Sequence, residues 1–190
     1  METAARTHVL TSTRSNTLLQ LLWIAGFAIA TAVGARIEIP YQPVPFTLQT
    51  FTVLLAGAFL GSRNGAASQI LYLAAGVAGL PVFAGGAFGF AKLMGPTGGY
   101  LLAFPAAAAV VGYLVRRHAT LLWRVVSMAC GLCIIFLFGT LQLYAAYLHD
   151  AGKAIALGLL IFSWWDLLKL GAAATIYHEV SKRWARVPTE

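Results

Sequence analysis

Apolar runs alternate with short polar breaks along the whole chain. Six apolar segments stand out, at roughly 17–35, 46–61, 65–80, 99–115, 119–148 and 158–178. An α-helix crosses the ~30 Å hydrocarbon core of a bilayer with about 20 residues. The second and third segments are short for that task. The fifth is long, and its outer end reads as an interfacial turn. The pattern predicts an all-α polytopic membrane protein: a polar tail over 1–16, a bundle of six transmembrane helices over 17–178, and a second tail over 179–190. The first tail shows no cleavage site, and the run behind it is too long for a signal-peptide core. No internal repeat stands out, so an inverted-repeat transporter is not indicated.

Composition removes the soluble alternatives. Residues of the AVILMFWYC set make up 59% of the 190-residue chain, and charged residues only 10%. A soluble domain carries about 25% charged residues. The 13 Lys and Arg and 6 Asp and Glu cannot coat a soluble surface of this size. A cytosolic enzyme, a disordered segment and a disulfide-stapled secreted domain are all excluded.

The net charge of +7 sharpens the topology. With an even number of spans, alternate loops share a side. One side holds Arg6, Arg14, Arg63, Arg116, Arg117, Arg124, Lys182, Arg183 and Arg186; the other holds Arg36, Lys92 and Lys153. Nine against three places both termini in the cytoplasm by the positive-inside rule. The outer loops then lie near 36–46, 80–98 and 149–157. The basic residues read as headgroup contacts, and no basic stretch interleaved with exposed aromatics suggests nucleic acid.

Two outer loops are unlike ordinary connectors. The first, IPYQPVPFTLQT, holds Pro40, Pro43 and Pro45, which fix φ, remove donors and push their predecessors toward extended backbone. It contributes Thr47 and Gln49 as candidate contacts. The second, GLPVFAGGAFGFAKLMGPTGGY, is rich in glycine and aromatics and contributes Phe83, Gly86, Gly89 and Tyr100. Glycine permits close backbone approach, and aromatic rings make flat apolar walls. The loops read either as interfacial segments with belt aromatics or as the lid and wall of a small-molecule pocket; irregular backbone is tolerated at membrane depth where it lines a cavity. No Gly-x-x-x-x-Gly-Lys-[Ser/Thr] string occurs, so the chain is not expected to hydrolyse ATP.

The last span, SWWDLLKLGAAATIYHE, places Asp166 and Lys169 three apart on one helix face. Ionisable residues inside a span cost ~2.5–3.5 kcal/mol on insertion scales and mark function by default. They read as a pair aimed at a polar ligand, or as a pair that neutralises itself. Arg36 and Glu38 are weaker ligand candidates. His149 and Asp150 resemble an acid–base pair but sit beyond a helix end, and His178 and Glu179 read as structural. Cys130 and Cys133 form a C-x-x-C with no neighbour to stabilise a thiolate, and read as plain core cysteines. In the first span, Gly26, Ala30 and Gly34 form one small-residue stripe and Ala28 and Ala32 another, for packing or for docking a membrane subunit.

Taken together, ARIEIPYQPVPFTLQTFTVLLAGAFLG, YLAAGVAGLPVFAGG, GPTGGYLLAF and WDLLK resemble the BioY family, the biotin-binding S components of energy-coupling factor (ECF) vitamin transporters. The blocks occur in the family's order over roughly 27–172. The resemblance implies six transmembrane helices in a bacterial cytoplasmic membrane and biotin held near the extracytoplasmic face. It implies that Asp166 and Lys169 contact biotin. It also implies that the face carrying Ala28 and Ala32 meets a transmembrane T component, with separate ABC-type ATPases as the energy source. No catalytic residue, cofactor or metal is implied. Arg36 stands where many relatives carry Gln, and it either helps capture a carboxylate or only neutralises Glu38. Trp164 and Trp165 replace the family's usual Pro-Phe before the Asp.

Biotin suits these residues. Its bicyclic body and alkyl tail are apolar, its ureido ring offers two N–H donors and a carbonyl, and its tail ends in a carboxylate. Asp166 can accept ureido N–H bonds; Lys169 can meet a carboxylate or carbonyl. The alternatives are a carrier for thiamine or riboflavin, an intramembrane enzyme using Asp166 and Lys169, and a purely structural subunit. The enzyme reading finds no H-E-x-x-H, no G-x-S-x-G and no paired intramembrane aspartates.

Overall fold

The computed structural model describes residues 2–160 and 163–183. The chain after Arg183, including Arg186, lies outside the described residues. Helix α1 (Glu2–Arg36) runs unbroken from the polar tail into the first apolar run, so the expected boundary at 17 is a change of composition and not of backbone. A short extended hairpin follows: β1 (Glu38–Ile39) pairs antiparallel with β2 (Phe46–Thr47), Glu38 opposite Thr47 and Ile39 opposite Phe46. The three prolines lie at or between these strands, as their extended bias predicts, and the Gln42–Pro43 peptide is cis.

Helix α2 (Gln49–Val77) covers both the second and the third expected spans. It is not one straight rod. Gly61 sits at φ 83°, ψ −174°, and the arms 49–60 and 62–77 fold back on each other. The contacts fix this: Gly65 lies against Gly57 near the bend, and the Gln49 amide bonds the Tyr72 hydroxyl at 2.6 Å near the open end. An L-residue at Gly61 would be strained at that φ, and its Cβ would also strike the Arg116 guanidinium.

The second loop contains a short 3₁₀ turn (Ala84–Gly86) and a one-turn helix α3 (Phe90–Met94). Then come α4 (Gly98–Leu114), α5 (Leu121–Leu143) with a π-helical extension over Tyr144–Leu148, α6 (Ala151–Gly158) and α7 (Ser163–Arg183). Among the described residues, two helical stretches are long and apolar enough to cross a membrane by themselves, Thr17–Arg36 and Leu121–Leu148.

Helix α6 occupies the region expected to be the third outer loop. His149 turns the chain at φ 51°, and the Asp150 side chain caps α6 by accepting from the Lys153 N–H at 3.0 Å. Asp150 is therefore a capping residue and not half of an acid–base pair. Helix α7 begins at Ser163, later than the 158 that hydropathy suggested.

Packing centres on α2, which meets α1, α4 and α7; α5 closes the bundle against α4 and α7. The α2–α4 contact is backbone on backbone. A Cβ built on Gly57 would lie 2.4 Å from the Ala108 carbonyl oxygen, and one on Gly112 2.3 Å from the Gly61 carbonyl carbon. Small residues at helix crossings allow this approach and the dispersion contacts that come with it. Cys130 and Cys133 are reduced and exposed on the outer side of α5, not in the core as expected, because the inward positions of that turn belong to Gly131 and Leu132. At the other end of the bundle, buried Arg124 donates to His178 Nδ1 at 2.7 Å and lies over the Tyr177 ring, which gives His178 its structural role.

Candidate functional site

The two unusual loops meet at one end of the bundle. The Leu48 N–H donates to both the Gly34 and the Ile37 carbonyls at 3.1 Å, which ties the first loop to the end of α1. Arg36 reaches across and donates to the Pro81 carbonyl, and the Tyr72 hydroxyl donates to the Val82 carbonyl at 3.2 Å. Below them lies a cavity of about 50 Å³. Its walls come from four parts of the chain: Thr47, Gln49 and Thr50 around the start of α2; Lys92, Thr97 and Tyr100 from α3–α4; Phe136 from α5; and Asp166 with Lys169 from α7.

The α7 charges are the chemical centre of this cavity. Asp166 is 2% exposed and Lys169 8%. Lys169 Nζ lies 2.6 Å from Asp166 Oδ1, so the pair neutralises itself. It also reaches residues far away in sequence. Lys169 Nζ donates to the Thr47 carbonyl at 2.9 Å and to Thr50 Oγ1 at 2.8 Å, and the Thr50 hydroxyl donates to Asp166 Oδ1 at 2.8 Å. An ammonium has three protons, and all three of Lys169 are engaged. Among the described residues, Asp166 receives both its bonds on Oδ1 and none on Oδ2. A buried pair is tolerable when its remaining polar capacity is met in this way.

The other sequence candidates divide. Thr47 and Gln49 line the cavity, with the Thr47 hydroxyl donating to Gln49 Oε1 at 3.1 Å. Tyr100 lines it too, and its hydroxyl donates to the Gly158 carbonyl at 2.8 Å, which joins α4 to α6. Four candidates are not on the cavity wall. Phe83 is fully buried, edge-on to Tyr72 at 5.6 Å and seated over Gly76, so its ring is core. Gly86 (φ 71°) leaves room for the Arg36 guanidinium, 2.9 Å from where its Cβ would stand. Gly89 (φ 85°) starts α3 and donates to the Gly76 carbonyl at 2.7 Å. Arg36 is used by Pro81 and forms no ion pair with Glu38. These residues build the loops and leave the cavity to others.

Three polar wall residues were not among the sequence candidates: Thr50, Lys92 and Thr97. Thr50 sits one residue beyond the FTLQ string. Lys92 is one of only three cations assigned to outer loops, the one signal that could have raised it.

On α1, Ala28 is buried against the core and Ala32 is half-buried at its edge, while Ile29 and Val33 face outward and Gly26 has nothing within 4 Å of a built Cβ. A second groove, lined almost wholly by apolar side chains of α5, α6 and α7, lies on the other side of Asp166. Its lining residues Leu137, Leu141 and Leu167 are exposed large hydrophobics, as expected of a surface that meets lipid. Among the described residues no cluster of His, Cys, Asp or Glu could hold a metal ion.

Comparison with known proteins follows the same outline. Residues 5–186 match the family model described as the BioY family. The chain is 42% identical over 163 residues to the Biotin transporter BioY of Thermotoga maritima, covering 86% of this chain and 96% of that protein. It is 31% identical over 186 residues to the Biotin transporter BioY of Rhizobium etli, covering 93% and 98%. A solved structure, the S-component for biotin from an ECF-type ABC transporter, superposes with a TM-score of 0.81 at 23% identity, over 88% of this chain and 93% of that one. That likeness carries the fold.

Proposed function

From the premise that the chain belongs to the BioY family, we propose that it captures biotin near the outer face of the membrane as the substrate-specificity subunit of an ECF transporter. It is a membrane transporter of biotin and not an enzyme. The observation that carries the site assignment is the buried Asp166–Lys169–Thr50 cluster at the wall of a cavity beneath both loops. Asp166 Oδ2 is the acceptor for a ureido N–H, and Thr50 and Lys169 hold that carboxylate in place. The aromatic edges of Tyr100 and Phe136 suit the apolar body. At about 50 Å³ the cavity is smaller than the ~300–1,000 Å³ usual for ligand pockets, so biotin has to part the walls as it enters.

Six crossings are supported by α1, the two arms of α2, α4, α5 and α7, and the nine-to-three division of basic residues supports cytoplasmic termini in a bacterial plasma membrane. The chain has no nucleotide-binding loop, so transport energy must come from elsewhere, in this reading from ABC-type ATPases coupled through a transmembrane T component. Ala28 is committed to the bundle, so docking falls to the flank of α1 that runs through Gly26, Ile29 and Val33, with Ala32 at its edge.

The direct test is equilibrium binding of labelled biotin to purified protein. Saturable binding that excess thiamine or riboflavin does not displace is expected; displacement by either, or no saturable binding, overturns the assignment. A second test concerns docking. Gly26→Trp is expected to leave biotin binding intact and to abolish co-purification with the T component, and an intact complex would remove α1 from the interface.

A further inference from the structure

The α7 pair leaves one polar feature of the ligand unmatched. Biotin is an anion at neutral pH, because a carboxyl titrates near 4. Asp166 cancels Lys169, and the three Lys169 protons are already committed to Asp166, Thr47 and Thr50. Arg36 lies off the cavity wall and donates to Pro81. Lys153 is paired with Asp150 at 3.8 Å on the surface and lines neither this cavity nor the one above it.

Two groups on the α3–α4 segment do not share these commitments. Lys92 is half-buried and makes no hydrogen bond or ion pair among the described residues. It lines the buried cavity and also the shallower one above it, which Glu38, Tyr41 and Gln42 help to form. It is not paired with Glu38. Thr97 is 8% exposed, lines the buried cavity, and its Oγ1 has no partner among the described residues. Thr97 is the N-cap residue of α4, yet its side chain makes no capping bond. An unused buried hydroxyl is costly unless something meets it. Its position at the start of a 17-residue helix also favours an anion.

The fold brings these two groups to one cavity by a tight backbone turn. A Cβ on Gly98 would lie 1.7 Å from the Leu93 carbonyl oxygen, so only glycine lets α3 fold back onto α4. The Gln142 side chain on α5 then donates to the Leu93 and Gly95 carbonyls at 3.2 and 3.0 Å and holds the turn.

We infer that Lys92 and Thr97 form the recognition site for the ligand's carboxylate, distinct in role from the Asp166 cluster that takes the ureido ring. The inference rests on the reading of the chain as a biotin carrier. The Lys92 ammonium supplies the one uncompensated positive charge on the wall, and the Thr97 hydroxyl donates a second bond. Lys92 also reaches the outer cavity, so it can meet the anion before the anion is buried.

The test compares biotin with biotinamide, which has the same body and no charge, on purified full-length protein. Wild type is expected to prefer biotin. Lys92→Met should weaken biotin roughly tenfold or more and leave biotinamide within about twofold. Lys92→Arg should restore most of the biotin affinity. Thr97→Val should give a smaller loss, roughly two- to tenfold, again confined to biotin. Equal losses for both ligands with Lys92→Met, no loss with it, or a wild type indifferent to the charge would each overturn the assignment. A wild type that binds neither ligand overturns the biotin reading itself and this inference with it.

Discussion

Asp166→Ala is expected to abolish measurable biotin binding and to lower the stability of the protein. The variant removes the acceptor Oδ2 and leaves the Lys169 ammonium 8% exposed without its counter-charge. Breaking a buried pair from one side costs about 3–5 kcal/mol. Losses of binding and of folding would then be confounded, and the double variant Asp166→Asn with Lys169→Met separates them. It removes both charges at similar volume, a change that is often neutral or stabilising. Its thermal unfolding, followed by tryptophan fluorescence in detergent, should lie close to wild type. Its biotin affinity should fall by roughly a hundredfold, since a charge-assisted bond is worth about 1.5–3 kcal/mol. A double variant that binds biotin within threefold of wild type would show that the pair is only structural.

Gly57→Ala should damage the fold severely. The added Cβ would stand 2.4 Å from the Ala108 carbonyl oxygen and 3.0 Å from its Cα and carbonyl carbon. These are backbone atoms of a helix and cannot swing aside. Overpacking costs typically ~1–3 kcal/mol, and more where backbone must move. The expected result is a sharp fall in the melting temperature and a poor yield of monodisperse protein. Gly26→Ala is the matched control. It lies in α1 with nothing within 4 Å of its Cβ, and helix propensity alone predicts a small gain of stability. Equal melting temperatures for Gly57→Ala and wild type would mean that the α2–α4 contact is looser than described.

The large features were legible because they rest on local properties. Apolar run length marked the helices, the short polar break around Arg63 separated the second and third spans, and three prolines marked the extended hairpin. The α7 charges were legible because a carboxylate and an ammonium in an apolar run are costly anywhere. Thr50, Lys92 and Thr97 were not, because their value depends on distant partners. Thr50 matters through a contact spanning 116 positions to Asp166, and Thr97 through a buried hydroxyl with no partner among the described residues. The opposite error befell Phe83, Gly86, Gly89 and Arg36. They sit in or beside the right loops, yet packing commits Phe83 to Tyr72, Gly86 to the Arg36 guanidinium, Gly89 to the Gly76 carbonyl and Arg36 to Pro81. Helix α6 was missed because its single turn-and-cap signal, Asp150 after a left-handed His149, is hidden among residues that read equally well as a loop.

The 2.6 Å pairing of Asp166 with Lys169 has an electrical consequence. A lone charge displaced through the bilayer exchanges about 2.3 kcal/mol with the field for every 100 mV it crosses. A pair of opposite charges that moves together exchanges almost nothing. Whatever motion carries this cluster relative to the membrane, the transmembrane potential neither drives it nor opposes it. In the proposed carrier, strong chemistry at the ligand is thereby combined with electrical silence toward the cell's voltage.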